Sequence, residues 1–483
     1  MKNVKLNFIF YIISALSVVT MTSCGDSFLE VTPKGVLIAQ KTTDYDLLLN
    51  NVVLISINAD GQAYLADDVA ALDPYFSSSP IRSQRLFRWE DDVYNGDETG
   101  KEIEMPIKGI YAYNKVINEV MDSEGGTEAK KKALRAEALA GRAWTNFLLI
   151  NYYGKPYNQA TSANDPGIPI ILEADAAETK FERATVAKCY EQIVSDLTTA
   201  IADLPSRIYH RSRMSKSAAQ GILGKVYVFM GEYDLALPLL KESIGSLGNA
   251  DIPVRLIDYN VDFAPGGEFT PIDPFLGPPF PIAPNMKELV YAKQNSPTIT
   301  WFTNDYPVTG ETMALFAPTD LRLNFFAKNL FVQPVQLPNG MYRRIAFAGV
   351  FIGVLVPELY LLKAECEVRL NNLVDAKADL ETLRKTRMLP SLASVPDAIA
   401  ADKMKLLKYV FDERAREFAG QGFRWFDMRR LSVDPLFPNL TFTHKLFNMA
   451  GEVVKTFTLK PERLTLRFPI KIINANPGME NNP

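Results

Sequence analysis

The segment AQGILGKVYVFMGEYDLALPLLKESI, Ala219 to Ile244, decides how the chain folds. Leu223, Tyr227, Ala236 and Leu240 recur at helical steps, giving each of two helices an apolar face. Gly231 interrupts the pattern midway and can take the positive φ that a change of direction needs. Gly224 on the first helix and Ala236 on the second carry little bulk, so two antiparallel helices can approach closely. The expected unit is a helical hairpin.

Leu223, Gly224, Tyr227, Gly231, Tyr233, Ala236 and Leu240 also stand at the spacings of a tetratricopeptide repeat. A degenerate second copy lies at LYLLKAECEVRLNNLVDAKADLETLRK, Leu359 to Lys385, with Ala364, Asn371, Leu373, Ala376 and Leu380 at equivalent steps. The offset is not a multiple of the repeat, so the chain is not one uninterrupted solenoid. Helical patterns at 134–154 and 186–204 are expected to pair as a further unit. The fold class read from these segments is mostly α: a tetratricopeptide-like helix-pair scaffold, an α-α superhelix, over roughly 106–250 and 357–431. Long irregular loops and a few short strands complete it. ELVYAKQN (288–295) reads as a strand. Ala346 to Val356 reads as a buried strand, with Pro357 opening a helix.

Two loop regions, roughly 60–105 and 250–345, are the candidate ligand-binding parts, because binding residues tend to sit on loops held by a rigid scaffold. Sugar rings stack on aromatic side chains while their hydroxyls bond to polar ones. Tyr75, Phe76, Trp89 and Tyr94, with Arg82 and Asn95, supply one such set. Trp301, Phe302 and Tyr306, with Asn304 and Asp305, supply another. The expectation is that both loops converge on one face as a stacking platform, with Tyr75, Arg82, Trp89, Tyr94, Asn95, Trp301 and Tyr306 as its ligand-binding residues. The alternative is that Trp89 and Trp301 plug the loops into the helical core. Trp144 and Trp425 are expected in the core. The carboxylate groups Asp67-Asp68 and Glu90-Asp91-Asp92 have the chemistry to act on a glycosidic bond or hold a hard cation. Solvated loop charge is the simpler reading.

The chain has 483 residues with a formal net charge of −4, which gives no basic field for nucleic acid. Three cysteines and two histidines leave little material for a metal site or a disulfide framework. No nucleophile elbow, P-loop, Cys-x-x-Cys or His-Glu-x-x-His is present, and no catalytic residue, metal or cofactor is assigned. Lys2, Lys5 and the apolar run Phe8–Val19 read as an export signal over residues 1–23. Small residues lead to Cys24, which is expected to be acylated and to anchor the mature chain, 24–483, as a single domain.

Near the end, LKYVFDERAREFAGQGFRWFDMRRL (407–431) crowds charges and aromatics around Gly420 and Gly422. Buried charge must be paired. The expected arrangement is an internal lock of Glu413, Glu417, Arg424 and Asp427 around Trp425, with Glu413 and Glu417 facing Arg424 or Arg429.

That stretch, E-R-x-x-E-F-A-x-x-G-x-R-W-F-D-x-R-R, resembles the signature of SusD/RagB-like proteins, the nutrient-capture lipoproteins of the Bacteroidetes surface. The Cys24 opening with GDSFLEVTPKG, ALRAEALAGRAWTNFLLINYYGKP, TVAKCYEQIVSDLTTAIADLP followed by RMSKSAAQGILGKVYVFMGEYDLA, PELYLLKAECEVRLNN and the terminal FPIKIINANPGMENNP resemble the family in the same order. The resemblance implies a helical scaffold and an outer-membrane, cell-surface address. It also implies a SusC-like TonB-dependent transporter as partner and an oligosaccharide, or in some branches a peptide, as ligand. The rival readings are a secreted helical glycoside hydrolase and a tetratricopeptide scaffold for protein partners.

Overall fold

The computed structural model describes residues 39–178, 180–295, 303–346 and 349–483. Its longer helices are α1 (Thr42–Leu49), α2 (Ile81–Phe87), α3 (Lys101–Glu119), α4 (Glu128–Tyr153), α5 (Val186–Asp203) and α6 (Lys216–Met230). They continue with α7 (Tyr233–Gly245), α8 (Val356–Arg369), α9 (Leu373–Lys385), α10 (Lys403–Glu417), α11 (Phe423–Leu431) and α12 (Ile470–Ala475).

The stretch 219–244 is the α6–α7 hairpin. The Ser215 hydroxyl caps α6 by accepting from the Ala218 N–H, and Gly231 ends it with φ 82°. At Gly224 a Cβ would lie 2.8 Å from Leu240 Cγ, so a larger residue would push α7 away. The degenerate copy is α8–α9, where Asn371 takes the turn with φ 68°. Asn is one of the few side chains that tolerate this conformation. Thr127, Thr185 and Asp402 cap α4, α5 and α10 in the same way as Ser215 caps α6.

Each helix from α3 to α7 packs on the next, and α7 packs on α8, which meets α9 and α10. The fold is mostly helical, an α-α superhelix carrying short strands. The two stretches read as strands are each divided: β2 (Leu289–Tyr291) pairs with β7 (Val354–Leu355), and β3 (Gln294–Asn295) with β6 (Val350–Phe351), while β4 (Phe326–Ala327) pairs with β5 (Arg343–Arg344). Gly353 stands at the break, where a Cβ would lie 2.0 Å from the Tyr291 carbonyl oxygen. The helix after it begins at Val356, with Pro357 in its first turn.

A hairpin of β8 (Thr443–Phe447) and β9 (Val453–Thr458) joins β1 (Ala71–Leu72) in a sheet ordered β1-β8-β9, with β1 parallel to β8. This sheet holds the first loop region against the end of the chain. Region 60–105 is consequently less irregular than expected: it contains α2 and contributes Tyr64, Phe76, Phe87 and Trp89 to the main core.

Candidate functional site

Among the described residues these loops do not form the expected stacking platform. Backbone bonds from Ala70 N–H to the Pro307 carbonyl (2.8 Å) and from Leu72 N–H to the Asp305 carbonyl (3.1 Å) bring the loops together. They meet as core. Tyr306 is 2% exposed, its ring packed against Tyr64, Phe76 and Phe87, and its hydroxyl lies 2.9 Å from Ser79 Oγ. Asn304 accepts from the Phe331 N–H at 2.6 Å. Burial raises the Asp305 carboxyl to about 6. Trp301 and Phe302 lie outside the described residues.

Trp89 is 5% exposed and cannot offer a stacking face. Its backbone is left-handed, with φ 50°, and its indole lies in the interior. There its N–H donates to the Leu65 carbonyl at 3.1 Å. The indole stacks on the His444 imidazole (3.9 Å, 11°), which stacks in turn on Phe87 (4.2 Å, 4°). Both imidazole nitrogens face carbonyl oxygens, Nδ1 that of Phe87 at 2.6 Å and Nε2 that of Ala66 at 2.7 Å. Burial pulls the His444 pKa down against these two contacts.

Arg82 is likewise internal. It pairs with Asp60 at 2.8 Å and with Glu102, whose carboxylate also accepts from the Tyr94 hydroxyl. Tyr75 is half-buried against the small cluster of Ala70, Leu72 and Phe447. Of the six expected ligand residues that are described, only Asn95 is openly exposed. The physical reason is common to Arg82, Trp89, Tyr94 and Tyr306: each has a polar group that finds a partner inside, which removes the cost of burying it.

Outside this packing lies an open polar cleft of about 730 Å³, lined by residues 85, 88–92 and 94–96 with Thr458 and Lys460. Trp89 and Tyr94 line it with little exposed surface, and most of the remaining lining is charged or polar. Arg88 holds Glu90 at 2.6 Å, and Arg85 donates to the Asn95 side chain at 3.1 Å. Asp91 and Asp92 pair with Arg463 (3.3 Å) and Arg467 (3.1 Å) from the C-terminal region. The carboxylates that suggested a cation site therefore have guanidinium partners. Among the described residues no group of His, Cys, Asp or Glu is arranged to hold a metal ion. Asp67 pairs with Arg424 at 2.7 Å, and Asp68 accepts from the Gly420 N–H at 2.8 Å, with burial raising its carboxyl to about 6. Both line a second recess of about 330 Å³ on the far side of the 67–70 loop. Such arrays of fixed donors and acceptors suit a polyhydroxylated ligand, which presents both at short intervals.

The 407–431 stretch is ion-paired, but with different partners from those expected. Glu413 contacts Arg322 (2.7 Å), Arg384 (2.8 Å) and Arg416 (2.6 Å). Glu417 contacts Arg387 (2.7 Å) and Arg322 (2.9 Å), and Arg387 also holds Glu288 at 2.7 Å. The left-handed turn at Gly420 and Gly422 sends α11 away from α10. Arg424 thus faces Asp67, while Glu413 and Glu417 face α9. Asp427 pairs with Arg414 (3.0 Å) and Arg430 (2.8 Å), and Arg429 donates to the carbonyls of Gly154, Ile150 and Leu464. Trp425 is fully buried. Burial alone would raise Glu413; Arg322, Arg416 and Arg384 outweigh it and hold the carboxyl far below the usual range. Arg322 and Glu288 belong to the second loop region, so the network ties that region to the scaffold. Reaching those partners requires the tertiary fold, and no local signal marks them.

Residues 27–228 match the family described as "Starch-binding associating with outer membrane", and residues 357–483 match the family described as "SusD family". No curated protein sequence matches the chain. Among solved structures, a SusD superfamily protein from Bacteroides thetaiotaomicron superposes with a TM-score of 0.71 at 18% identity, over 92% of this chain and 100% of that one. A putative sugar binding protein from Bacteroides vulgatus gives 0.68 at 20% identity, over 93% and 99%. A laminarin binding SusD-like protein gives 0.61 at 17% identity, over 92% and 99%.

Proposed function

The chain belongs to the SusD/RagB family, and on that premise we propose that it binds oligosaccharide at the cell surface and delivers it to a SusC-like TonB-dependent transporter of the outer membrane. In this reading Cys24 carries the acyl anchor, and the protein performs no chemistry on its ligand. The observation that carries the ligand class is the open cleft at 85–96. It is polar, lined by arginine, carboxylate and amide groups, and supported from beneath by a rigid aromatic layer. Two structural neighbours described as sugar binding and laminarin binding support the same class. Among the described residues no helix is long and apolar enough to cross a membrane, so an acyl chain is a fitting means of attachment.

Isothermal titration of the mature protein against a glycan panel and a peptide pool tests the reading. An oligosaccharide should bind, and Arg85→Ala should weaken it about tenfold, the worth of one charge-assisted hydrogen bond. Binding of peptides alone would point to peptide capture and sink the glycan assignment. Release of reducing sugar that vanished in Glu90→Gln would favour a hydrolase instead.

A further inference from the structure

The second recess, of about 330 Å³, shares no lining residue with the polar cleft. Its walls come from the 67–70 loop, residues 309–315, α10, β8 and Arg424 of α11. The volume lies at the lower end of small-molecule sites. Leu315, Phe411 and Phe447 give it hydrocarbon surface, and the threonines at 309, 441 and 443 give it hydroxyl groups. Four carboxylates line it, those of Asp67, Asp68, Glu311 and Asp412, against the two cations Arg424 and Lys445.

Both cations are taken. Arg424 holds the two oxygens of Asp67 at 2.7 and 3.2 Å, and Lys445 holds Glu311 at 3.0 Å. Asp68 and Asp412 are left without one. Asp68 is 4% exposed; its Oδ2 accepts from the Gly420 N–H at 2.8 Å, while Oδ1 has no hydrogen-bond partner among the described residues. Asp412, half-buried on α10, makes no ion pair and no side-chain hydrogen bond among the described residues. Arg416, four residues on, is committed to Glu413 at 2.6 Å and to the Leu315 carbonyl at 3.1 Å. Burial accordingly raises both carboxyls, Asp68 to about 6. By contrast, two guanidinium partners bring the equally buried Asp427 of α11 down to about 2. A buried carboxylate without a partner costs free energy that an entering cation would recover.

The shape of the recess selects among cations. Among the described residues no three of these carboxylates are arranged to hold a metal ion. A bare ion would also make no use of the Leu315, Phe411 and Phe447 surface. A primary ammonium group brings three donors, and the carbon frame that carries it can meet that surface. We propose that the recess is a second binding site, for a small primary amine whose ammonium group is held by the carboxylates of Asp68 and Asp412. An amino sugar carries this group, and so does a free diamine. The proposal stands apart from the saccharide reading of the cleft.

The test is isothermal titration of the mature protein with glucosamine, N-acetylglucosamine, putrescine and calcium chloride. Glucosamine should bind at least about tenfold more tightly than N-acetylglucosamine, which keeps the ring and loses the charge, as the worth of one charge-assisted hydrogen bond implies. Putrescine binding as tightly as glucosamine assigns the site to free amines; a preference for glucosamine assigns it to amino sugars. Asp68→Asn and Asp412→Asn should each weaken the amine at least about tenfold. Asp68→Asn keeps an oxygen for the Gly420 N–H and removes a buried charge, and Asp412 is half-exposed, so both variants should melt close to the native protein. Equal binding of glucosamine and N-acetylglucosamine overturns the proposal, as does amine binding that survives both variants. Failure of both amines to bind at millimolar concentration overturns it too. Calcium uptake that is lost in both variants makes the recess a metal site and likewise overturns it.

Discussion

Glu413→Gln isolates the energetics of the charge network. Glu413 is fully buried and contacts three guanidinium groups at 2.6 to 2.8 Å. The amide keeps the shape, but its single oxygen can satisfy only part of what the carboxylate satisfied. Arg322 retains Asp320 (2.7 Å) and Glu417 (2.9 Å), whereas Arg384 loses its carboxylate partner. Removing one member of a buried pair leaves uncompensated charge and costs about 3–5 kcal/mol. A chain of this length unfolds with an entropy near 1 kcal/mol per K, so the melting temperature should fall by roughly 4 °C. Glu104→Gln, in the exposed pair with Lys108, is the internal control and should cost less than about 0.5 kcal/mol.

The same variant has a pH signature. Glu413 is held below its unfolded value, so its contribution is present above about pH 4.3 and is lost as pH falls further. Asp427, brought to about 2 by Arg414 and Arg430 against burial, acts in the same direction. Differential scanning calorimetry between pH 3 and 8 should show Glu413→Gln least stable relative to the native protein at neutral pH, with the gap closing in acid. A melting temperature within a degree of native at pH 7, or a gap that widens in acid, would refute the account of the network as a charge lock.

Gly224→Val should destabilise by roughly 1–3 kcal/mol, because the added carbons meet Leu240 and the Ala236 carbonyl oxygen; urea unfolding measures it. Trp89→Ala removes the stack on His444 and an indole hydrogen bond and should cost about 3–5 kcal/mol, read from the same transition. Lys293 is buried against the faces of Tyr113, Trp144 and Tyr291 and donates to the Tyr113 hydroxyl at 2.8 Å; burial pulls its ammonium down to about 7. The unfolded chain therefore binds one more proton between pH 7 and about 10, so native stability rises across that window. Lys293→Met should abolish the rise and stabilise the protein at pH 7 by roughly 1–3 kcal/mol, after allowing for the lost hydrogen bonds.

The scaffold was legible because its signals are local. Gly224 and Gly231 state within one hairpin how close two helices come and where the chain turns, and Asn371 repeats the second message at the matching turn. Cap residues sit within three positions of the N–H groups they satisfy. The β8–β9 hairpin was missed although it carried a signal, since Asn448 and Gly451 mark a turn between two β-rich runs. Arg416, three residues from Glu413 on the same helix, was within reach of sequence spacing, but the distant partners of Glu413 and Glu417 were not. Pairing them with Arg322 and Arg387 is decided by which faces α9 and the 303–346 segment present, and charge density in sequence says only that partners must exist.

The loop aromatics show why the site resisted reading. Composition cannot distinguish a tryptophan that presents its face from one that hides it, because the same indole N–H serves a ligand or a carbonyl. What decides is a carbonyl at the right depth: Leu65 for Trp89, and in the same layer those of Phe87 and Ala66 for His444. Once these bonds form, the aromatic layer becomes the bed on which the cleft rests. Arg88 and Glu90 flank Trp89 in sequence and pair with each other on the outer side of that layer, lining the cleft. On the proposed reading, recognition in this cleft rests on the hydrogen-bonding arms around it, with the nearly buried indole as their support.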